Sequence, residues 1–321
     1  MSGRLLVVAA FATVYVIWGS TYFAIQLAIA TIPPFLMAGT RFLAAGVILY
    51  AFARRSGGPP PAFREWRRAT IIGAALLLCG NGGVTLGEVW VPSALTALII
   101  ALVPVFMAML GWLSGITARP TWLVWLGLAS GLVGVALLVS PQGNLTPQPG
   151  FGFGVGVILA AALIWSAGSL YAGRSPSSAP PFTAAGMQMI CGGLLQIATA
   201  GLLGEFGRFQ PSAVSVSSMV AWVYLIFFGA ILAYTAYNWL LRNRPPAQVA
   251  TYAYVNPVVA VFLGVGFAGE KMTPMMLAGA ALIVAAVAAV IAQQSSGTPA
   301  RPVSPDPVVS AEAAAESGRS A

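Results

Sequence analysis

The sequence predicts an all-α integral membrane protein with ten transmembrane helices, arranged as two inverted five-helix repeats. Three observations lead to this prediction: an apolar composition, ten long apolar segments, and self-similarity between the two halves. Only 7% of the 321 residues are charged and 59% are hydrophobic, with a mean hydropathy of +0.88. Soluble proteins carry about 25% charged residues. Lipid is therefore the solvent that suits the surface of this chain.

The apolar segments match the length needed to cross a bilayer, which is about 20 helical residues. They are predicted at 5–30, 33–53, 69–90, 93–114, 120–140, 151–173, 180–203, 218–241, 246–268 and 274–292. Short separators rich in Pro and Gly divide them. A cleaved signal peptide is the alternative for the first segment. That segment is longer than the apolar region of such peptides, so we predict a membrane span.

The basic residues predict the orientation. With ten spans and a cytoplasmic N terminus, the outer side receives only Arg208 and Lys271, whereas the cytoplasmic side receives Arg4, Arg54, Arg55, Arg64, Arg67, Arg68, Arg119, Arg174, Arg242 and Arg244. This excess follows the positive-inside rule and places both termini in the cytoplasm. The net charge of +8 thus indicates orientation rather than nucleic-acid binding. We expect a multi-pass protein of a bacterial inner (plasma) membrane, with a disordered cytoplasmic tail over 293–321.

The second half of the chain repeats the first. Residues 33–39 (PPFLMAG) match 180–186 (PPFTAAG), and further on Ala94, Ala97 and Pro104 correspond to Ala247, Ala250 and Pro257. We assign one repeat to 1–141 and the other to 150–292. Each repeat has an odd number of spans, so the second enters the membrane from the opposite side. Inverted repeats with a site at their interface are typical of secondary transporters.

Several short motifs carry a family resemblance. They are Trp18-Gly19-Ser20-Thr21-Tyr22, Arg41-Phe42, Ala250-x-Tyr252 with Asn256-Pro257, and Gly269-Glu270-Lys271-Met272-Thr273. With these motifs in this order, the chain resembles the drug/metabolite transporter superfamily, in particular its ten-helix EamA-type exporters. The resemblance covers residues 5–292 and implies export of small metabolites, amino acids among them. Gln26 stands where many relatives have a basic residue, which argues against an anionic substrate.

Polar and aromatic side chains within the spans are the candidate substrate-binding residues. In lipid, such side chains face the protein interior or a watery cavity. Helical spacing places Asn81 and Thr85 on one face, and the repeat gives a second such pair in Tyr234 and Asn238. The alternative is that these groups only join helices by hydrogen bonds. The predicted set is Trp18, Tyr22, Asn81, Thr85, Trp165, Tyr234, Asn238, Tyr252 and Asn256.

Four further residues have two interpretations each. Arg41, buried in the second span, either binds a substrate carboxylate or braces its helix. Glu88 either takes part in proton coupling or lies in a solvated outer loop, and we favour the loop. Pro104 and Pro257 remove backbone donors and form either hinges or static kinks. Glu270, the acid of the final motif, is predicted to cap the last helix.

The composition also excludes several classes of function. The sequence has no His, and its two Cys residues lie in apolar runs, so we predict no metal site, no catalytic residues and no cofactor. An enzyme is therefore not expected. The predicted partners are a small-molecule substrate and the lipid bilayer, and the oligomeric state stays open. The leading hypothesis is an amino-acid exporter working by alternating access; a sugar-phosphate or nucleotide-sugar transporter of the same architecture is the alternative.

Overall fold

A computed structural model gives the structure of the chain and describes residues 3–55, 57, 59–91, 93–139, 149–175, 177–259 and 273–295. Over these residues the chain is helical and contains no strand. Seven of the described helices are long and apolar enough to cross a membrane, and two shorter apolar stretches lie at Trp122–Gly134 and Leu277–Ala286. The predicted all-α membrane fold is confirmed.

The main helices follow the predicted order. They are α1 (Gly3–Ile29), α2 (Pro34–Arg54), α3 (Phe63–Gly87), α4 (Ser93–Ile100, continuing as Val103–Leu113), α5 (Trp122–Val139), α6 (Phe151–Arg174), α7 (Pro181–Leu202), α8 (Val216–Asn243), α9 (Pro246–Ala250, continuing over 252–259) and α10 (Pro274–Ser295). The predicted cap at Glu270 and the tail beyond 295 lie outside the described residues.

Helix α3 begins earlier than its apolar run predicts. It starts at Phe63 rather than at residue 69, because the polar segment Phe63–Arg68 forms its first turns. This segment lies at the end of the bundle where α1 and α3 begin and where α2, α6 and α8 end. We call it the basic end, because it carries Arg54, Arg64, Arg174 and Arg242. The opposite end, where α2 and α8 begin, is the far end.

Helices α2 and α7, which are equivalent in the two repeats, pack against each other through glycines. A methyl group on Gly39 would lie 3.0 Å from the carbonyl oxygen of Gly193, and one on Gly46 would lie 2.9 Å from that of Gly186. Gly39 corresponds to Gly186 and Gly46 to Gly193, so each contact is the counterpart of the other. Such reciprocity is the property of a two-fold interface, and the pairing shows that the two helices run antiparallel. Small residues permit this close approach in lipid.

Both repeats contain a π-helical segment at equivalent positions. Residues Gly73–Gly82 of α3 and Leu225–Tyr234 of α8 are π-helical. Such turns leave backbone carbonyls available to side chains of other helices. Gln196 Nε2 donates to the Leu77 carbonyl at 2.8 Å, and Trp18 Nε1 donates to the Gly229 carbonyl at 3.3 Å.

The two predicted proline kinks differ from each other. Helix α4 is interrupted at residues 101–102. The following helical segment begins at Val103, and Pro104 is its second residue. Helix α9 is interrupted at Thr251, six residues before Pro257, which itself lies within helix 252–259. Thr251 Oγ1 donates to the Gln248 carbonyl at 2.6 Å. The break in α9 thus occurs at a threonine rather than at the proline.

Candidate functional site

A central cavity lies between the two repeats, on the half of the bundle toward the far end. Its walls come from α1, α2, α3, α4, α6, α8 and α9. The described residues that line it are Trp18, Thr21, Tyr22, Ile25, Arg41, Phe42, Leu77, Gly80, Asn81, Val84, Ile100, Val103, Ala161, Trp165, Gly229, Tyr234 and Tyr252. Most of the predicted substrate-binding residues are therefore brought together here, along with Arg41.

Four aromatic rings form a cluster at the base of this cavity. The equivalent residues Trp18 and Trp165 lie 5.6 Å apart, centroid to centroid, in a T-shaped arrangement. Trp18 also lies 4.8 Å from Tyr237 and 4.9 Å from Tyr252. Edge-to-face contacts of this kind hold rings in fixed orientations. The cluster closes the cavity toward the basic end.

Tyr237 was not among the predicted site residues, although it organises this cluster. Its hydroxyl accepts a hydrogen bond from Trp165 Nε1 at 3.1 Å and shares one with Ser169 Oγ at 2.6 Å. Tyr237 lies three residues after Tyr234 and shares its face of α8. Its counterpart in the first repeat is the apolar Val84, so the transfer of polar positions from α3 to α8 selected Tyr234 and Asn238 and passed over Tyr237.

Arg41 is the one charged residue among those that line the cavity. Its side chain is 3% exposed, and its Nη2 donates to Asn81 Oδ1. The guanidinium carbon lies 4.5 Å from the centroid of the Phe42 ring, a cation–π distance. Its Nε has no hydrogen-bond partner among the described residues. Arg41 thus joins α2 to α3.

The expectation that Glu88 is a solvated loop residue is wrong. Glu88 follows the last residue of α3, is 6% exposed, and its backbone N–H donates to the Val84 carbonyl at 3.0 Å. Neither carboxylate oxygen has a hydrogen-bond partner in the described part of the chain. Beyond Glu88, the Trp90 ring packs against the Phe153 ring of α6 at a centroid distance of 5.3 Å, so the chain after α3 stays against the bundle.

Three predicted site residues do not line the central cavity. Thr85 is fully buried and donates to the Asn81 carbonyl at 2.9 Å. The amide nitrogen of Asn256 lies 2.9 Å from the Tyr252 carbonyl and 3.2 Å from that of Tyr15, and so joins α9 to α1. Asn238 donates to the Tyr234 carbonyl at 2.9 Å and faces a different cavity.

That second cavity lies at the basic end. It is lined by Glu65, Arg68, Ala69, Ile72, Ala172, Ser177, Ala184, Met187, Gln188, Asn238, Leu241 and Arg242. Among these residues, Glu65 connects the two repeats. This carboxylate accepts hydrogen bonds from Ser177 Oγ and, at 3.0 Å, from Ser178 Oγ, so it joins α3 of the first repeat to the α6–α7 loop of the second. We call this contact the Glu65 clasp.

Comparison with known proteins identifies the family. The model of the EamA-like transporter family matches residues 5–140 and, a second time, residues 152–292. The chain belongs to the EamA-like transporter family. The resemblance to the drug/metabolite transporter superfamily is thereby confirmed, and the two matched segments agree with the tandem repeat. This EamA protein is a membrane transporter.

Its relatives are bacterial and plant membrane proteins. The uncharacterized inner membrane transporter YedA of Escherichia coli (strain K12) is 40% identical over 274 residues, covering 85% of this chain and 86% of that protein. A probable amino-acid metabolite efflux pump of Salmonella typhimurium is 26% identical over 279 residues, covering 85% of this chain and 90% of the pump. A solved crystal structure matches with a TM-score of 0.72 at 21% identity, covering 90% of this chain and 97% of that one, and shows the same fold. The EamA protein described here is accordingly a multi-pass protein of the inner membrane.

Proposed function

We propose that this EamA protein is a secondary transporter that exports small metabolites, amino acids first among them, by alternating access. The observation that carries the proposal is the central cavity between inverted repeats, with an aromatic base and a single buried arginine in its wall. A wall of this kind suits a small amphipathic solute with one carboxylate. The name of the Salmonella typhimurium relative, a probable amino-acid metabolite efflux pump, agrees with it.

The two cavities supply the argument for alternating access. In the repeat, Gln188 and Ala172, which line the second cavity, correspond to Arg41 and Ile25, which line the first. This partial correspondence supports an inverted relation between the two cavities. If the two repeats exchange conformations, the central cavity closes and the cavity at the basic end opens, which is the general behaviour of inverted-repeat transporters.

The sugar-phosphate alternative is less well supported. A phosphate carries up to two negative charges, and proteins that bind it use several basic groups or a bidentate arginine in an open fork. Among the described residues that line the central cavity, the only cation is Arg41. An apolar and aromatic wall gives little compensation for a dianion.

The experiment is a flux measurement with purified protein in proteoliposomes and a panel of labelled amino acids, with Trp165→Ala beside the wild type. We expect saturable flux of at least one amino acid, strongly reduced in Trp165→Ala because the base of the cavity loses its ring. Trp112→Ala is the matched control, since Trp112 is an exposed residue that contacts Arg119 away from the cavity. Flux of a phosphorylated sugar without flux of any amino acid would overturn the proposal.

A further inference from the structure

We infer that the central cavity selects zwitterions, with Arg41 receiving the carboxylate of the substrate and Glu88 compensating its ammonium group. The inference rests on the proposed function and deepens it, because it assigns the two ends of the substrate to two residues. It excludes solutes that carry only one of the two charges. It also gives Glu88 a role in specificity, which the predicted proton coupling did not include.

The first line of support is the position of the two charges. Arg41 lines the cavity, and Glu88 lies one turn beyond Val84, another lining residue on the same wall. Both charged side chains are buried, at 3% and 6% exposure, yet they are not hydrogen-bonded to each other.

The second line of support is the unused bonding capacity of both groups. Arg41 Nε and both Glu88 oxygens have no hydrogen-bond partner among the described residues. Buried charged groups are normally paired and hydrogen-bonded, because an unpartnered one is costly. A ligand with a carboxylate and an ammonium group would supply an acceptor to the arginine and a donor to the glutamate.

The internal repeat gives an independent argument that the fold does not require these charges. The counterpart of Arg41 is Gln188, and the counterpart of Glu88 is Leu241. Gln188 and Leu241 are buried in an equivalent helical framework, with no charge at either position. The charge pair is therefore specific to the half that faces the central cavity, which favours a role toward a ligand over a role in packing.

Charge balance then sets the substrate class. A zwitterion brings an anionic group to Arg41 and a cationic group to Glu88, so each buried side chain meets an opposite charge. A monoanion or monocation would leave one buried charge uncompensated, which is unfavourable in an apolar surrounding. The aromatic base of the cavity meets the remaining, side-chain part of the substrate.

The test measures binding by titration calorimetry for three matched sets built on phenylalanine, leucine and threonine. Each set contains the free amino acid, its cationic primary amide and its anionic N-acetyl derivative. For the wild type we expect the free amino acid to bind about tenfold or more tightly than either derivative, since one hydrogen-bonded charge contact is lost in each case. The ratio of affinities within a set does not depend on the folded fraction of a variant.

Two variants and a control complete the experiment. Glu88→Gln is expected to shift the preference toward the N-acetyl derivative, and Arg41→Gln toward the amide. Glu205→Gln is the control, because Glu205 is an equally buried acid whose oxygens accept the backbone N–H groups of Phe35 and Leu36, outside the cavity. Its affinity ratios should equal those of the wild type.

Equal affinities for the three members of a set, or variants with unchanged ratios, would overturn the inference. If amino-acid flux is present in that case, the proposed function stands without it. If no amino acid is bound or transported, the proposed function fails and the inference fails with it. Tighter binding of glucose 6-phosphate than of any amino acid would likewise reject both.

Discussion

Tyr234 donates its hydroxyl hydrogen to Gln188 Oε1 at 2.9 Å, and this bond is the counterpart of the one from Arg41 to Asn81. Gln188 corresponds to Arg41, and Tyr234 to Asn81, so the same two helices of each repeat are joined at the same place. In the first repeat both partners line the central cavity; in the second, Tyr234 lines the central cavity and Gln188 the basic-end cavity. The second bond therefore forms part of the partition between the cavities.

This equivalence predicts that giving positions 41 and 88 the residues found at the matching positions of the second repeat preserves the fold and abolishes transport. The variant is Arg41→Gln combined with Glu88→Leu. Replacing a buried pair of opposite charges by neutral groups is often neutral or stabilising by about 1–4 kcal/mol, whereas removing one partner costs about 3–5 kcal/mol. We expect the double variant to unfold near the wild-type temperature and Arg41→Gln alone to unfold earlier.

The measurement is thermal unfolding in detergent, followed by amino-acid flux in proteoliposomes. A double variant as unstable as Arg41→Gln would contradict the prediction and give the charges a structural role. A double variant with wild-type flux would show that neither charge meets the substrate.

The sequence was sufficient for the helix order, the repeat and much of the cavity wall, because each depends on local patterns. Apolar length predicts the spans, and the spacing of Trp18 and Trp165 within their segments predicts that they are equivalent. The transfer of polar positions between the repeats failed at Tyr237, because its counterpart in α3 is the apolar Val84. The prediction for Glu88 failed as well, because the path of the chain after α3 depends on its packing against α6.

The glycine seam between α2 and α7 is predicted to tolerate no added methyl group. In Gly193→Ala the new carbon would lie 2.6 Å from the backbone nitrogen of Leu43 and 2.9 Å from the Gly39 carbonyl oxygen. Backbone atoms cannot move aside as side chains do, so we expect a loss of about 1–3 kcal/mol in stability. Thermal unfolding of the purified protein measures it.

The matched control for the seam is Gly152→Ala in α6. No atom lies within 4 Å of the position that its new carbon would take, and alanine is a better helix former than glycine. Gly152→Ala is expected to be neutral or slightly stabilising. Equal unfolding temperatures for Gly193→Ala and Gly152→Ala would mean that the seam is looser than the structure indicates.

Tyr237→Phe is predicted to weaken substrate binding while the protein stays folded. The change removes the hydroxyl that orients the Trp165 indole and leaves Ser169 Oγ with only the Trp165 carbonyl as partner. A lost buried hydrogen bond costs about 1–3 kcal/mol, so we expect KM for amino-acid flux to rise about tenfold. Tyr254→Phe is the control: it removes a buried hydroxyl bonded to the Leu128 carbonyl, away from the cavity, and should leave KM unchanged. A similar KM for both variants would contradict a role of Tyr237 in the site.

Glu65→Ala is predicted to open the basic end. The Glu65 clasp joins the two repeats through Ser177 and Ser178, and its removal leaves these hydroxyls without their carboxylate partner. The reporter is Ala184→Cys, a buried position in the second cavity, in a background without Cys79 and Cys191. Because a hydrogen bond to a charged group contributes about 1.5–3 kcal/mol, we expect a membrane-impermeant maleimide to label Cys at 184 about tenfold faster.

Labelling in inside-out and right-side-out vesicles adds the orientation to this test. The excess of arginine at the basic end predicts that the faster labelling occurs only in inside-out vesicles, where the cytoplasmic side faces the reagent. Arg208→Ala is the control, because Arg208 donates to the Leu203 carbonyl at the far end and should not change access at the basic end. An unchanged rate in Glu65→Ala would mean that the helices themselves, rather than the clasp, keep this end closed. Faster labelling in right-side-out vesicles would invert the predicted topology while leaving the clasp as the gate.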